Sequence, residues 1–110
     1  MKIKTAELEG AALDWVVRKC TLGRNPIDYV EARDNFSTSW NKGGPIIEQA
    51  LIEITPDLSD GIVIWHSERW PDYSKPCSGV GTGPTPLIAA MRCYVASQLG
   101  DEVEVPDELA

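Results

Sequence analysis

Two stretches of the chain repeat apolar residues at helical spacing, one near each end. In residues 7–20 the apolar positions recur every three or four residues, and Thr5 precedes them as a candidate N-cap. In residues 83–99, Thr85 and Pro86 are an N-cap residue and a first-turn proline, and Gly100 is a suitable stop. The pattern therefore predicts one N-terminal and one C-terminal helix.

Between these helices, two apolar segments predict a β-hairpin. Residues 51–55 alternate between apolar and polar side chains, whereas residues 62–65 are apolar at four successive positions. The segment between them, residues 56–61, supplies turn residues. Four successive apolar residues are typical of a strand that is covered on both faces.

The remaining segments are shorter or richer in turn residues. A short alternation in residues 26–31 predicts a partly exposed strand, and residues 1–4 are a candidate edge strand. Residues 32–45 and 67–84 are rich in Gly, Pro, Ser and Asn, so they are predicted to be loops, with a turn at Gly43-Gly44-Pro45.

Together these elements predict an α+β fold, with a small antiparallel sheet of three to four strands, an N-terminal helix and a C-terminal helix. One arrangement is an α/β/α sandwich, which covers the central strand on both faces. In the other, both helices lie on one face and the long loop covers part of that strand. We expect residues 1–100 to form a single globular domain, because 110 residues suit one domain.

The acidic residues are concentrated at the C-terminal end. The net charge is −7, but residues 101–110 hold five of the 17 acidic residues and no basic one. This segment is expected to be a solvated, frayed tail. Since the rest of the chain is close to neutral, no direct binding of nucleic acid is expected. No apolar run approaches the length of a membrane span, so we expect no membrane association and a cytoplasmic location.

Gly79–Gly83 looks at first like a phosphate-binding loop. However, Pro84 occupies the sixth position of the G-x-G-x-x-G pattern, and no Gly-Lys-Ser/Thr follows. Plain turn geometry is the preferred interpretation. An anion site at the start of the following helix remains an alternative, because helix N-termini attract anions.

His66 is the only histidine and is the candidate general base, since it lies at the end of the predicted central strand. Cys77 or Ser78 is the candidate nucleophile that would accompany it. Cys20, Cys77 and Cys93 lack paired Cys-x-x-Cys spacing, and no pair of carboxylates stands out. We therefore expect no enzyme, no catalytic residue, no metal and no cofactor.

Four aromatic residues lie in the central strand or in and beside the predicted loops. They either pin the loops to the core or contribute to a binding surface. With His66 and Thr85 they form the candidate ligand- or partner-binding set, which is Trp40, Trp65, His66, Trp70, Tyr73 and Thr85.

Three parts of the sequence resemble the phage NinX family. Residues 83–97 followed by residues 99–103 resemble its C-terminal signature, and residues 1–15 and 43–48 are also similar to it. The family consists of small accessory proteins of lambdoid-type phages and prophages. The resemblance implies expression inside an enteric-type bacterium, and it carries no established activity or catalytic residues.

Three functions follow as hypotheses. The first is a non-enzymatic module that binds a host or phage protein, for example to modulate a defence factor. The second is a small-ligand or nucleotide-binding protein that uses residues 67–85 and the N-terminus of the last helix. The third is an enzyme built on His66, and a homodimer stays open in each case.

Overall fold

The computed structural model of the protein describes residues 1–22, 35–70 and 77–110. In chain order its elements are β1 (Lys2–Lys4), a 3-10 turn at Thr5–Glu7, α1 (Gly10–Leu22), α2 (Trp40–Ala50), β2 (Ile52–Ser59), β3 (Ile62–Arg69), β4 (Gly79–Gly83), α3 (Pro86–Leu99), β5 (Glu102–Glu104) and a 3-10 turn at Asp107–Leu109. The described residues form an antiparallel pair, β1–β5, and an antiparallel three-stranded sheet in the order β2–β3–β4. The predicted α+β fold is confirmed.

Helix α3 is the centre of the fold. It packs against β4, β3 and β2 on one side, and α1 and α2 pack against it as well. Its residues Ala89, Ala90, Met91, Cys93 and Val95 are completely buried. Because α3 is apolar around much of its circumference, it suits a position between two layers. Of the two arrangements left open by the sequence, the structure has the predicted helices on one side of the sheet.

The predicted hairpin is confirmed, and it is longer than expected. Strands β2 and β3 are eight residues each and are joined by Asp60 and Gly61, whose φ angles are 53° and 76°. Two positive φ values are characteristic of the tight type I′ turn, which matches the twist of the flanking strands.

Strand β4 corrects the predicted loop over residues 67–84. Residues 67–69 belong to β3, and Gly79–Gly83 is a strand rather than a turn. Its alternate glycines all face α3: a Cβ at Gly79 would lie 2.7 Å from the backbone of α3, and one at Gly83 2.8 Å from the Ile88 side chain. The glycines therefore permit a close approach of strand to helix, which is a tertiary property that local turn chemistry does not reveal.

Helix α2 corrects the other predicted loop, over residues 32–45. It begins at Trp40 and runs through the expected Gly43-Gly44-Pro45 turn. Pro45 is exposed, so the backbone hydrogen bond that it forfeits lies at the solvent side of the helix. A Cβ at Gly43 would lie 2.6 Å from both Leu87 Cδ2 and the Phe36 carbonyl oxygen, so glycine lets α2 pack closely here.

The C-terminal segment is not a frayed tail over residues 102–105. Strand β5 pairs with β1, which is the candidate edge strand predicted for residues 1–4, and Val103 and Val105 are buried. The register sets Lys2 opposite Glu104 and Lys4 opposite Glu102, so unlike charges face each other. This pairing of the two ends of the chain orders acidic residues that were expected to be in a frayed tail, although Glu102 and Glu104 remain exposed.

The predicted N-cap at Thr5 is wrong, because α1 begins only at Gly10. The Thr5 hydroxyl instead donates a hydrogen bond to the Gly100 carbonyl, at 2.6 Å. The strand predicted for residues 26–31 lies outside the described residues. Among those that are described, no helix has the length and hydrophobicity needed to cross a membrane.

Candidate functional site

The sheet has one face against α3 and one face turned away from it, which we call the outer face. Ser67 pairs with Gly81, whose missing Cβ would touch α3, and Ser67 is fully buried. Since side chains alternate along a strand, His66 and Glu68 point to the outer face. In the described part of the chain, the outer-face positions of β3 and β4 are Ile62, Ile64, His66, Glu68, Val80 and Thr82.

A hydrogen-bonded group of three side chains lies at the outer face. His66 Nε2 is 3.0 Å from Glu68 Oε1, and Trp70 Nε1 donates to Glu68 Oε2 at 2.8 Å. The hydrogen bonds from His66 and then from Trp70 lower the pKa of the Glu68 carboxyl. Glu68 is therefore a carboxylate at neutral pH. Sequence reasoning missed this residue, although its spacing of two from His66 in a strand places both on one face.

The candidate nucleophiles are not positioned beside His66. The Ser78 hydroxyl and backbone N–H both donate to the Arg69 carbonyl oxygen. Cys77 is half-buried and close enough to Cys93 to raise the pKa of that thiol slightly. Cys93 is under β4 on the α3 side of the sheet, where its Sγ lies 3.4 Å from the Gly79 carbonyl oxygen. The Cys93 thiol and the His66 imidazole are therefore on opposite sides of the sheet.

The other two thiols are as inaccessible as their apolar helical positions predict. Burial raises the pKa of Cys93 to about 12 and that of Cys20 to about 11. Both therefore remain protonated thiols at neutral pH, the form that is a poor nucleophile. Within the described ranges, no three His, Cys, Asp or Glu side chains cluster in a way that could hold a metal ion.

The end of the β2–β3 hairpin extends beyond the rest of the sheet. Strand β4 pairs only with residues 65–69 of β3, so residues 56–64 form a two-stranded projection that we call the ribbon. Its apolar side chains are exposed: Leu58 by 73%, Ile62 by 63%, Val63 by 42% and Ile64 by 47%. The expectation that the central strand is covered on both faces is thus wrong for residues 62–64, because α3 covers only one face of the sheet and does not extend over the ribbon, so the side chains of both faces are exposed.

A shallow groove of about 280 Å³ lies between the starts of α2 and α3. Its apolar lining comes from Trp40, Pro86, Leu87 and Ile88, with Thr85 at its border. Trp40 is 55% exposed. Two of the candidate binding residues, 45 positions apart in sequence, are therefore brought together here.

The start of α3 has few donors left for an anion. The Thr85 hydroxyl accepts a hydrogen bond from the Ile88 N–H at 3.2 Å, and the Thr85 carbonyl accepts one from Ala89 at 3.1 Å. Pro86 has no N–H. The predicted cap at Thr85 and Pro86 is confirmed, and it uses the groups that a bound phosphate would need.

The remaining candidates are dispersed. Trp65 is half-buried on the α3 side of the sheet, with Pro56 and Gly83 opposite it. Trp70 joins His66 at the outer face through Glu68. Tyr73 lies outside the described residues. The described candidates therefore divide into an outer-face group, His66 and Trp70, and a groove group, Trp40 and Thr85, whereas Trp65 belongs to neither.

Comparison with known proteins adds the family. The sequence matches the family model described as Bacteriophage P22, NinX over residues 4–98, which runs from the end of β1 to the last turn of α3. A comparison with curated protein sequences returns no match. Because the family model covers most of the chain, the protein belongs to the phage P22 NinX family of phage accessory proteins.

Proposed function

We propose that this phage accessory protein is a non-enzymatic protein-binding module that uses the outer face of its sheet to bind a host or phage protein. The observation that carries the proposal is the exposed apolar surface of that face. Ile62, Ile64 and Val80 are exposed by 63%, 47% and 46%. Ile62 and Ile64 adjoin along β3, whereas Val80 lies farther along the same face, opposite Glu68. Exposed apolar residues with polar residues around them are typical of protein interaction sites.

The charged residues around the outer face indicate which kind of partner would bind there. The ionised Glu68 borders the apolar residues on one side, and Asp57, which pairs with Ile64, borders them on another. Among the described strand positions of the outer face there is no Lys or Arg, and Lys4 and Arg92 line a pocket with Val80 at the edge of that face, together with Asp101 and Glu102. Since complementary charge selects partners and speeds their association, the partner is expected to present apolar side chains flanked by basic ones.

The proposal is tested by charge substitution at the outer face. Val80→Lys removes apolar surface and adds a charge that repels a basic partner. Leu99→Lys is the matched control, because Leu99 is 43% exposed at the end of α3, where a lysine suits the helix dipole. Tagged wild-type and variant proteins are recovered from infected cells, and the proteins that they enrich are quantified.

A supporting result is a partner that wild type and Leu99→Lys enrich equally and that Val80→Lys loses by about tenfold or more. With the purified partner, affinity should then fall as salt is raised, and Val80→Glu should bind better than Val80→Lys. Equal recovery by Val80→Lys, or no reproducible partner, would reject the proposal.

The alternative of a small-ligand or nucleotide-binding protein has less support. It relied on residues 67–85 and the N-terminus of α3, and there Thr85 and Pro86 leave few free N–H donors. A nucleotide panel in a thermal-shift assay decides between the two, because a ligand that binds the native state raises its melting temperature. A clear shift would favour the alternative.

We assign no catalytic role to His66. Its hydrogen bond to Glu68 stabilises the outer face, and Cys77 precedes Ser78, which is hydrogen-bonded to Arg69 rather than to His66. The proposal needs no cofactor, metal, nucleic acid or membrane, and it places the protein in the cytoplasm of the bacterial host.

A further inference from the structure

The ribbon and the groove lie at the same end of the molecule. Trp65, where the ribbon begins, pairs with Gly83, and α3 starts only three residues later at Pro86. Helix α2 runs alongside α3 in the same direction, because its Gly43 lies against Leu87 and its last residue, Ala50, accepts a hydrogen bond from Arg69. Both helices therefore begin at the end from which the ribbon projects.

The ribbon has apolar side chains on both of its faces. Leu58 and Val63 are cross-strand neighbours on the face that continues the α3 side of the sheet, whereas Ile62 and Ile64 are on the outer face. A two-stranded hairpin is marginally stable in water when nothing covers it. The Leu58–Val63 face overhangs the start of α3, and it is a different surface from the one assigned to a host or phage partner.

Strand addition is disfavoured at the β2 edge of the ribbon, whereas residues 62–64 of β3 extend beyond β4. Ser59 and Ile62 flank the two-residue turn and so form a hydrogen-bonded pair, which makes Pro56 and Trp65 a non-hydrogen-bonded pair. The Pro56 nitrogen consequently points to the open edge of β2, where it has no hydrogen to donate. Proline at such a position protects an edge strand from pairing with another strand.

The groove and the ribbon have opposite electrostatic character. Helices α2 and α3 both begin at the groove, and neither has an acidic residue in its first turn, so two positive helix ends remain there. The ribbon carries Asp57 and Asp60 and no basic residue. Because the chain as a whole has a net charge of −7, the positive helix ends make this groove a favourable binding site for the acidic ribbon.

The apolar area at this end is a large part of what a second copy needs. The exposed parts of Leu58, Val63 and Trp40 amount to roughly 300 Å² per copy, as judged from their exposed fractions. A standard interface buries about 800 Å² on each partner, of which somewhat more than half is apolar. These three side chains therefore supply about two thirds of the apolar share of one standard interface.

We propose that two copies of the chain form a dimer in which each ribbon enters the groove of the other through Leu58 and Val63. Reciprocal contacts of this kind are related by a two-fold axis, so the assembly closes at two copies. The proposal goes beyond the proposed function, because it uses the ribbon's α3-side face and the groove and leaves Val80 and Glu68 free.

The first test is the mass of the protein by sedimentation equilibrium at concentrations up to about 100 μM. The wild type is expected to be dimeric in this range. Leu58→Lys and Trp40→Glu should each raise the dissociation constant by about tenfold or more, whereas Val80→Lys should not change it. Far-UV circular dichroism of each variant confirms that it is folded.

The second test distinguishes reciprocal exchange from another dimer. In a heterodimer of the Leu58→Lys and Trp40→Glu variants, the ribbon of the Trp40→Glu copy and the groove of the Leu58→Lys copy are both unaltered. The other contact places the lysine of one ribbon against the glutamate of the other groove. A mixture of the two variants should therefore form a heterodimer more tightly than either variant alone. A monomeric wild type, a dimer that Val80→Lys dissociates, or a mixture no tighter than its components would each overturn the proposal.

None of these results depends on a host or phage partner. A monomeric wild type would leave the outer-face proposal standing, and failure to find a partner would leave the dimer standing. The two proposals are thus rejected by different measurements.

Discussion

One methyl group at Gly81 tests whether the close contact of β4 with α3 determines the stability of this fold. Gly81 is buried opposite Ser67, in the middle of β4. A Cβ there would collide with the carbonyl oxygen of Ala89 and the backbone nitrogen of Cys93. Both are main-chain atoms of a helix whose core residues are fully buried, so no change of side-chain rotamer relieves the collision.

The expected loss of stability follows from the parts of the structure that must move. Strand and helix have to separate, and forcing extra volume into a packed core typically costs about 1–3 kcal/mol. Because both colliding partners are backbone, we expect Gly81→Ala to lower the free energy of unfolding by about 3 kcal/mol, less the few tenths that alanine gains through the unfolded state. For a domain of this size, the melting temperature should fall by about 10 °C.

Two further glycine variants make the test specific. Gly44→Ala lies in α2 with nothing within 4 Å of the new Cβ, so it should stabilise the protein by up to about 1 kcal/mol. Gly83→Ala meets the Ile88 side chain first, at 2.8 Å, and should cost less than Gly81→Ala because a side chain can shift.

The assay is urea denaturation followed by tryptophan fluorescence and by far-UV circular dichroism, with the slope m compared among variants. The expected order of stability is Gly44→Ala, wild type, Gly83→Ala and Gly81→Ala. If Gly81→Ala were within about 0.5 kcal/mol of the wild type, a loose contact between strand and helix would be indicated and the reasoning would be refuted.

Three other changes test separate contacts. Thr85→Ala removes the cap of α3 and should cost about 1 kcal/mol in the same assay, whereas Thr85→Ser should cost less; equal stability of both would contradict the capping role. Ser67→Ala removes a buried hydroxyl that has no hydrogen-bond partner among the described residues, so its melting temperature should equal or exceed that of the wild type, and a decrease would reveal a partner. Burial raises the pKa of Cys93 to about 12 from an ordinary 9.0, so the unfolded chain loses this proton first and stability should fall as pH rises from 9 towards 12; Cys93→Ala should show a shallower fall, and an identical slope would contradict it.

The elements that the sequence predicted correctly are those with a local signal. Thr85, Pro86 and Gly100 mark the two ends of α3 within one stretch of chain, and Asp60-Gly61 sets the turn of the hairpin. Such signals depend only on neighbouring residues, so they can be recognised in the sequence without knowing which other elements pack against the helix or the hairpin.

The elements that the sequence missed are those in which glycine serves a distant contact. Gly43 admits Leu87 into α2, and Gly81 admits α3 against β4, yet glycine has low propensity for both helix and strand. Local chemistry therefore predicted loops at both places. The reason for each glycine lies 8 to 44 residues away along the chain, which a single sequence does not display.

The candidate site was predicted only in part for the same reason. His66 and Trp40 were singled out, but Glu68 was not, and the exposure of Ile62 depends on which face of the sheet the helices cover. A run of apolar residues indicates that the faces of a strand will be buried. It does not show whether the residues that bury them belong to the same chain or to another one.

The two proposed surfaces have a joint consequence. If the ribbon and groove join two copies, each outer face remains available on its own copy, and the dimer is bivalent for its partner. Leu58→Lys should then weaken binding to partner molecules immobilised at high density, where both faces engage at once, while leaving affinity for a monovalent partner in solution unchanged. Val80→Lys should weaken both. Equal loss from Leu58→Lys in the two formats would mean that the α3-side face of the ribbon also contacts the partner, and the division of the molecule into two independent surfaces would be wrong.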